Sequence, residues 1–383
     1  MRILTAVAVL LLARATFAQP VPAPERQPVG TTAKSTPDSA VNQILEPIRA
    51  KHSLPGLAGA ILSRRKVVAI GAVGVRKQGA PEPFTVNDVI HLGSCTKSIT
   101  ATMLAQLVEE RKLAWSSTLG AVLRDLADGM HPDYRQVTLT QLLTHRSGVP
   151  RNGPWQELGP TRSTTEQRRE LVRRLLGNAP ESKSGSKYAY SNAGYAIAGL
   201  MAETVTGQSW EDLMRERIFR PLRMASAGFG PPGTAGQIDQ PWGHVREADH
   251  WKPLQSDNAP ALGPAGTVHC TIGDWARYVA EHIEGYHGRS RMLTKATFRQ
   301  LQVPEEGQEY AFGWTNVARS WAHGQALTHA GSNKMWYAVV WVAPERNFAV
   351  FAATNAGGHT TAQACDEVAA ALIRHYQSRF AKK

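Results

Sequence analysis

The sequence predicts an α/β fold of the α+β kind: an antiparallel sheet built from both ends of the chain, flanked by helices, with a mainly helical lobe inserted between them. Two observations point there. Strand-like runs lie at residues 57–62 and 67–73 and return at 326–330, 336–343 and 348–355, while apolar residues of helical period fill the middle. The chain is also 383 residues long, more than one simple core accommodates. A sheet lobe is therefore expected over about 38–90 and 310–383, and a helical lobe over about 91–309. No internal repeat is present.

In chain order, Arg2 and the apolar run 3–12, followed by small residues to Ala18, read as an export signal over residues 1–18. The run is about half the ~20 residues that a spanning helix needs. Residues 19–37 hold five prolines and few apolar residues, which predicts a disordered leader. A folded unit is expected over 38–383, and no later stretch is long and apolar enough to span a bilayer.

Thr36-Pro37 predicts a helix start, with Val41, Ile44, Leu45 and Ile48 buried. Residues 57–62 and 67–73 are two strands around the turn SRRK. Helices follow at 166–176, with Thr164 and Gln167 suited to a capping box, and at 194–206, ended by Gly207. Further helices are expected at 212–219, 272–283 and 361–380. In the last of these, Cys365, Val368, Leu372, Ile373 and Tyr376 form one apolar stripe.

Composition narrows the function classes. The net charge of +12 is scattered in short basic runs and accompanies no nucleic-acid motif, so it reads as solvated helix faces. Cys95, Cys270 and Cys365 are odd in number and far apart, which is not a disulfide framework. Neither H-E-x-x-H nor G-x-S-x-G occurs, and the histidines are scattered. Neither a metal nor a cofactor is expected.

Three stretches carry chemistry. Ser94 and Lys97 stand at S-x-x-K spacing at the start of the helix predicted from Ile99, Met103, Leu104 and Leu107. Residues three apart share a helix face, so hydroxyl and amine are neighbours there. A desolvated lysine can activate a serine, and the helix start favours developing negative charge. S-x-x-K also occurs at Ser63/Lys66 and Ser184/Lys187, but those two lie in a basic turn and a Ser/Gly/Lys loop. Tyr190-Ser191-Asn192 is the single Tyr-x-Asn. A lysine ammonium nearby would lower the tyrosine pKa and let the phenolate accept a proton. His329-Ala330-Gly331-Ser332 ends a late strand, where glycine admits a substrate alongside and the next N–H can face an oxyanion. By themselves, these residues also suit a helix cap, a turn tyrosine and a structural strand histidine.

Together, in this order and 96 and 139 residues apart, the three stretches resemble the serine β-lactamase and penicillin-binding DD-peptidase superfamily. The branch of class C β-lactamases, DD-carboxypeptidases and family VIII esterases is the most similar. LLTHRSGV (142–149), YSNAGYAIAG (190–199), PAGT (264–267) and YAFGW (310–314) are also similar to blocks of that branch, and the resemblance spans about residues 38–376.

The resemblance implies a β-lactamase/transpeptidase-like fold and a role for each residue. Ser94 is the acylated nucleophile and Lys97 its proton acceptor or electrostatic activator. Tyr190 is the general base and acid, and Asn192 orients substrate and Lys97. Ser94 and Ser332 N–H groups form the oxyanion hole, and His329 and Gly331 line the strand edge. The implied protein is an exported, periplasmic or secreted, monomeric serine hydrolase. Its substrate is an ester or amide, including a peptidoglycan D-Ala-D-Ala stem or a β-lactam; no nucleic-acid partner and no integral membrane span after signal cleavage are expected. A β-lactamase, a D-Ala-D-Ala carboxypeptidase and a penicillin-binding sensor without turnover stay open. The strand motif departs from Lys-Thr-Gly: His-Ala-Gly supplies a cation only at low pH and no hydroxyl, so esters are expected to be better substrates than β-lactams. His145 reads as a structural histidine. Trp155, Trp242, Trp251 and Trp336 read as core or rim packing first and cleft lining second.

Overall fold

The computed structural model describes residues 36–158 and 163–380. The expected export signal, and the expected leader apart from residues 36 and 37, lie outside the described residues.

Among the described residues, six strands form one antiparallel sheet. Its spatial order is Lys66–Gly74, Gly56–Ser63, Phe348–Thr354, Tyr337–Ala343, Gly324–Ser332, Thr315–Arg319. The strand near the start of the chain thus pairs with the last one, Leu57 opposite Thr354 and Ser63 opposite Phe348. This is the antiparallel sheet from both termini that the strand distribution predicts.

Both faces of the sheet are covered, and the period-2 alternation decides what each strand residue meets. On one face Leu57, Ile61, Val339, Val350 and Ala352 pack with Val41 and Leu45 of the Ser39–Lys51 helix and with Cys365, Val368 and Leu372 of the His359–Arg379 helix. On the other, Ala58, Ala60, Leu62, Val340, Val342 and Phe351 join a larger core containing Ile99, Met103, Trp275 and Val279 of the helical part. Each fully buried Leu, Ile or Val here is worth roughly 1.5–3 kcal/mol.

Several expected elements shift. Asp38, not Thr36, caps the first helix, accepting from Ala40 N at 2.8 Å. The capping box of the Thr164–Leu176 helix is formed one residue earlier, by Ser163 and Glu166. The helix after Ser94 is Thr96–Glu109 and is buried nearly all round from Thr96 to Leu107, not amphipathic, because the inserted lobe and the sheet both pack on it. Residues 212–219 divide between an α-turn at Trp210–Met214 and a π-turn at Arg215–Phe219. The strand Thr315–Arg319 and the helix Lys295–Gln302, which the sequence reading lacks, are both short and largely polar.

Candidate active site

The site lies where the buried Thr96–Glu109 helix begins beside the Gly324–Ser332 strand. That strand is paired with Thr315–Arg319 only as far as Thr328, so its edge from His329 to Ser332 is not covered by a further strand. Into this opening fits the 3-10 turn Gly93–Cys95. The fit depends on two glycines. Gly93 has φ +50°, and a Cβ there would collide with Ser332 N. A Cβ on Gly331 would strike the Leu92 carbonyl oxygen and come 2.6 Å from Ser94 N. Backbone therefore meets backbone, and the nitrogens of Ser94 and Ser332 are brought to the same seam.

Lys97 is fully buried one turn beyond Ser94. Its Nζ lies 3.1 Å from Ser94 Oγ, 2.8 Å from Asn192 Oδ1 and 2.8 Å from the Ala265 carbonyl oxygen. The Ala265 carbonyl is held in place from the same helix: Thr100 Oγ1 donates to Pro264 O at 2.8 Å, and Thr96 Oγ1 accepts from Val268 N at 3.1 Å. Burial pushes the lysine well below its ordinary pKa, and the nearby Arg151 charge lowers it further. A neutral amine has two N–H groups and one lone pair. The Asn192 and Ala265 oxygens can only accept, so they take the two N–H groups and leave the lone pair for the Ser94 hydroxyl. That arrangement can remove a proton from a serine.

Tyr190 and Asn192 arrive from the loop before the Asn192–Thr206 helix, whose first turn is capped by Ser191 Oγ accepting from Gly194 N at 2.9 Å. The Lys97 ammonium position is 4.8 Å from the Tyr190 ring centroid, and Tyr190 is hydrogen-bonded to Ser94. The expected lowering of the tyrosine pKa by a lysine cation is not what results. Burial pushes the phenol up, only partly opposed by the Ser94 hydrogen bond, and Lys97 is itself driven towards neutrality. Asn192 Nδ2 donates to Asn152 Oδ1 at 2.9 Å, which orients the amide so that its oxygen faces Lys97.

His329 also differs from expectation. Its Nδ1 is 2.7 Å from the Ala330 carbonyl oxygen, so Nδ1 carries the proton, and Nε2 accepts from Tyr310 Oη at 3.1 Å. Burial, then the Lys97 charge, lowers its pKa to about 3. The imidazole is thus a neutral strut with both nitrogens used, not a pH-dependent cation.

Ser94, Tyr190, Asn192, His329, Gly331 and Ser332 all line one cleft of about 940 Å³, with Lys97 beneath its floor. Sequence reasoning missed Arg151, Asn152, Asp257 and Lys334, which line it too. Arg151 and Asn152 stand just beyond the LLTHRSGV block, and Lys334 just beyond His-Ala-Gly-Ser, so adjacency to those motifs was the available signal. Trp155 lines the cleft, whereas Trp336 and Trp251 are buried in the cores and Trp242 packs under Lys77. Ser63 and Lys66 flank the turn of the first hairpin, and Lys187 is exposed, so neither other S-x-x-K contributes to the cleft.

A family model described as Beta-lactamase matches residues 41–374. Penicillin-binding protein 4 of Amycolatopsis lactamdurans is 26% identical over 338 residues, covering 82% of this chain and 84% of that protein. D-alanyl-D-alanine-carboxypeptidase/endopeptidase AmpH of Escherichia coli (strain K12) is 24% identical over 285 residues, 70% of each. Among solved structures, the octameric penicillin-binding protein homologue from Pyrococcus abyssi matches with a TM-score of 0.73 at 24% identity, covering 88% of this chain and 77% of that one. D-amino acid amidase from Ochrobactrum anthropi SV3 matches with a TM-score of 0.70 at 20% identity, covering 88% and 99%. These two structural likenesses are likenesses of fold.

Proposed function

The chain belongs to the Beta-lactamase family, and from that premise we propose that it is an exported serine hydrolase that cleaves an ester or amide through an acyl-enzyme on Ser94. The observation that carries this reading is the buried Lys97 amine, tied to two fixed acceptors and facing the Ser94 hydroxyl at 3.1 Å.

In the proposed mechanism, Lys97 Nζ takes the Ser94 proton as Oγ bonds to the substrate carbonyl carbon. The Ser94 and Ser332 N–H groups hold the resulting oxyanion. The C–O or C–N bond then breaks, and the proton passes from Lys97 through the Tyr190 hydroxyl to the leaving group. A water molecule, deprotonated by the same pair, attacks the acyl carbon and restores Ser94. Tyr190 acts as a relay and Lys97 as the primary base, because the phenol is pushed up and the amine down. Asn192 orients Lys97 and the substrate carbonyl side, while His329 and Gly331 shape the strand edge.

A short-chain ester is the favoured substrate, since His329 is neutral and occupied and cannot hold a β-lactam carboxylate. A second reading, D-Ala-D-Ala carboxypeptidase or β-lactamase action, draws on the named relatives and on Arg151 and Lys334 in the cleft, which could hold a substrate carboxylate in place of the strand lysine. A penicillin-binding sensor without turnover is disfavoured by the intact trio Ser94, Lys97 and Tyr190. Export rests on the N-terminal signal pattern; no helix among the described residues is long and apolar enough to cross a membrane. Intact-protein mass spectrometry after exposure to activated esters, β-lactams and D-Ala-D-Ala peptides, followed by steady-state turnover, tests the reading. A covalent acyl adduct on Ser94 that turns over supports it, and no adduct with any of the panel overturns it.

A further inference from the structure

His145 sits at the end of the short helix Leu139–Leu143, in the left-handed region at φ +59°, an uncommon conformation for a residue with a side chain. Its backbone is held there by His145 N donating to Leu142 O at 3.3 Å and Arg146 N donating to Gln141 O at 2.8 Å. The strained turn brings both the carbonyl and the imidazole of one residue to the loop that carries Tyr190. The His145 carbonyl accepts from Ala189 N at 2.7 Å, and its Nδ1 accepts from Ser191 N at 3.1 Å. The two peptide N–H groups flanking Tyr190 in sequence are therefore tied to a single residue. The fully buried imidazole also packs against the Tyr190 ring, with centroids 4.3 Å apart, and against Tyr310 and Tyr195 at 4.6 and 5.4 Å.

We propose that His145 is a positioning residue that holds the Tyr190 hydroxyl in line with Ser94 by clamping the backbone on both sides of Tyr190. This rests on the proton-relay role proposed for Tyr190. The phenol oxygen stands at the far end of a rigid ring, so a small rotation of the Tyr190 backbone displaces it by a large fraction of an ångström. Displacements on the order of 1 Å cost about 10²-fold in rate. The clamp needs a neutral imidazole, since Nδ1 accepts a hydrogen bond. Burial is the main cause that keeps the group neutral, and the Arg151 guanidinium adds to it. With Nδ1 accepting, Nε2 bears the hydrogen and has no hydrogen-bond partner among the described residues. Such an unsatisfied buried donor is a cost that packing alone would not require, because an apolar ring of similar size would avoid it.

The experiment is a double-mutant cycle on the full chain, with p-nitrophenyl acetate turnover, thermal melting and Ser94 labelling by a fluorescent penicillin measured for His145→Phe, Tyr190→Phe, the pair, and His145→Asn. His145→Phe keeps the ring and removes the acceptor. It is expected to lower kcat about 10²-fold with KM nearly unchanged. In the Tyr190→Phe background the same substitution is expected to cost less than about threefold, because the hydroxyl it positions is already gone. His145→Asn, whose Oδ1 can take the Ser191 N–H and which tolerates the left-handed backbone, is expected to recover most of the loss. If His145→Phe does not fold, His145→Gln takes its place in the cycle, its acceptor lying one bond too far out. Losses that multiply in the double variant, or His145→Asn no better than the variant lacking the acceptor, overturn the proposal while leaving the relay role intact. A wild-type kcat in Tyr190→Phe overturns the relay role and this proposal with it.

Discussion

Lys97 Nζ stands 3.1 Å from Ser94 Oγ in a place no solvent reaches, with its other two hydrogen-bonding directions occupied by Asn192 and the Ala265 carbonyl. Burial pushes the amine towards its neutral form, in which the two acceptors would aim its lone pair at the hydroxyl. In the proposed mechanism this pairing supplies the base for Ser94.

Replacing Ser94 by Ala is expected to abolish turnover and covalent labelling, a loss on the order of 10⁴-fold or more, as when a nucleophile is removed. Labelling at the wild-type rate in that variant would show that the acyl group sits elsewhere.

Lys97→Arg keeps a cation and hydrogen-bond donors but cannot lose its proton at working pH. A fall of roughly 10²–10⁴-fold in kcat/KM is expected if the amine is a base. In the wild type, lowering the pH protonates Lys97 and removes activity. Because its pKa is pushed well below 10.5 by burial, the acid limb of kcat/KM should lie well below that of an ordinary lysine. An acid limb centred near 10, or an arginine variant with full activity, would mean that Lys97 acts only as a fixed charge.

Tyr190→Phe should keep the fold and lower kcat by roughly 10²–10⁴-fold, the range for loss of an acid–base group. The phenol is lost but the ring, which packs on His145, is retained. Melting temperature and kcat measured together separate the two effects; an unchanged kcat would leave Lys97 to deliver the proton to the leaving group directly.

p-Nitrophenyl acetate or butyrate is expected to exceed a cephalosporin in kcat/KM at neutral pH, since a lost charge-assisted hydrogen bond of roughly 1.5–3 kcal/mol costs about tenfold or more. Cephalosporin turnover should not improve as the pH falls to 6. The buried His329, with a pKa of about 3, stays neutral there, contrary to what its sequence context alone suggests. A rise in cephalosporin kcat/KM between pH 7 and 6, absent from a His329→Gln variant, would refute the neutral-strut reading.

Stability should fall in mild acid. Burial lowers His282 and His329 to about 3 and His244 to about 4 in the folded chain. Unfolded, they return to ~6.5, so below that pH the unfolded state binds more protons. Their contribution is complete above ~6.5 and is lost as the pH drops from there towards 3–4, by up to ~1.4 kcal/mol per pH unit for each group. Thermal melting from pH 7.5 to 5 checks this, and a flat profile would contradict it.

The sequence by itself determined the local and the periodic. Short continuous apolar runs at 57–62 and 348–355 specify strands buried on both faces. Ser94, Lys97, Tyr190 and His329 announce themselves by motif order. What those residues experience was decided only by the tertiary structure, because burial and hydrogen-bond partners come from segments far away in the chain. Lys97 is driven towards neutrality because the 263–266 turn and Asn192 enclose it, and His329 is kept neutral by burial, with Tyr310 and its own neighbour's carbonyl taking its two nitrogens. Tyr190 has a raised pKa, although a lysine beside it suggested the reverse, since burial pushes the phenol up and the same burial drives that lysine towards neutrality. Gly93 and Gly331 could be read as permissive positions. That each makes room for the other's strand or turn follows from a contact between residues more than two hundred apart, which no local pattern encodes.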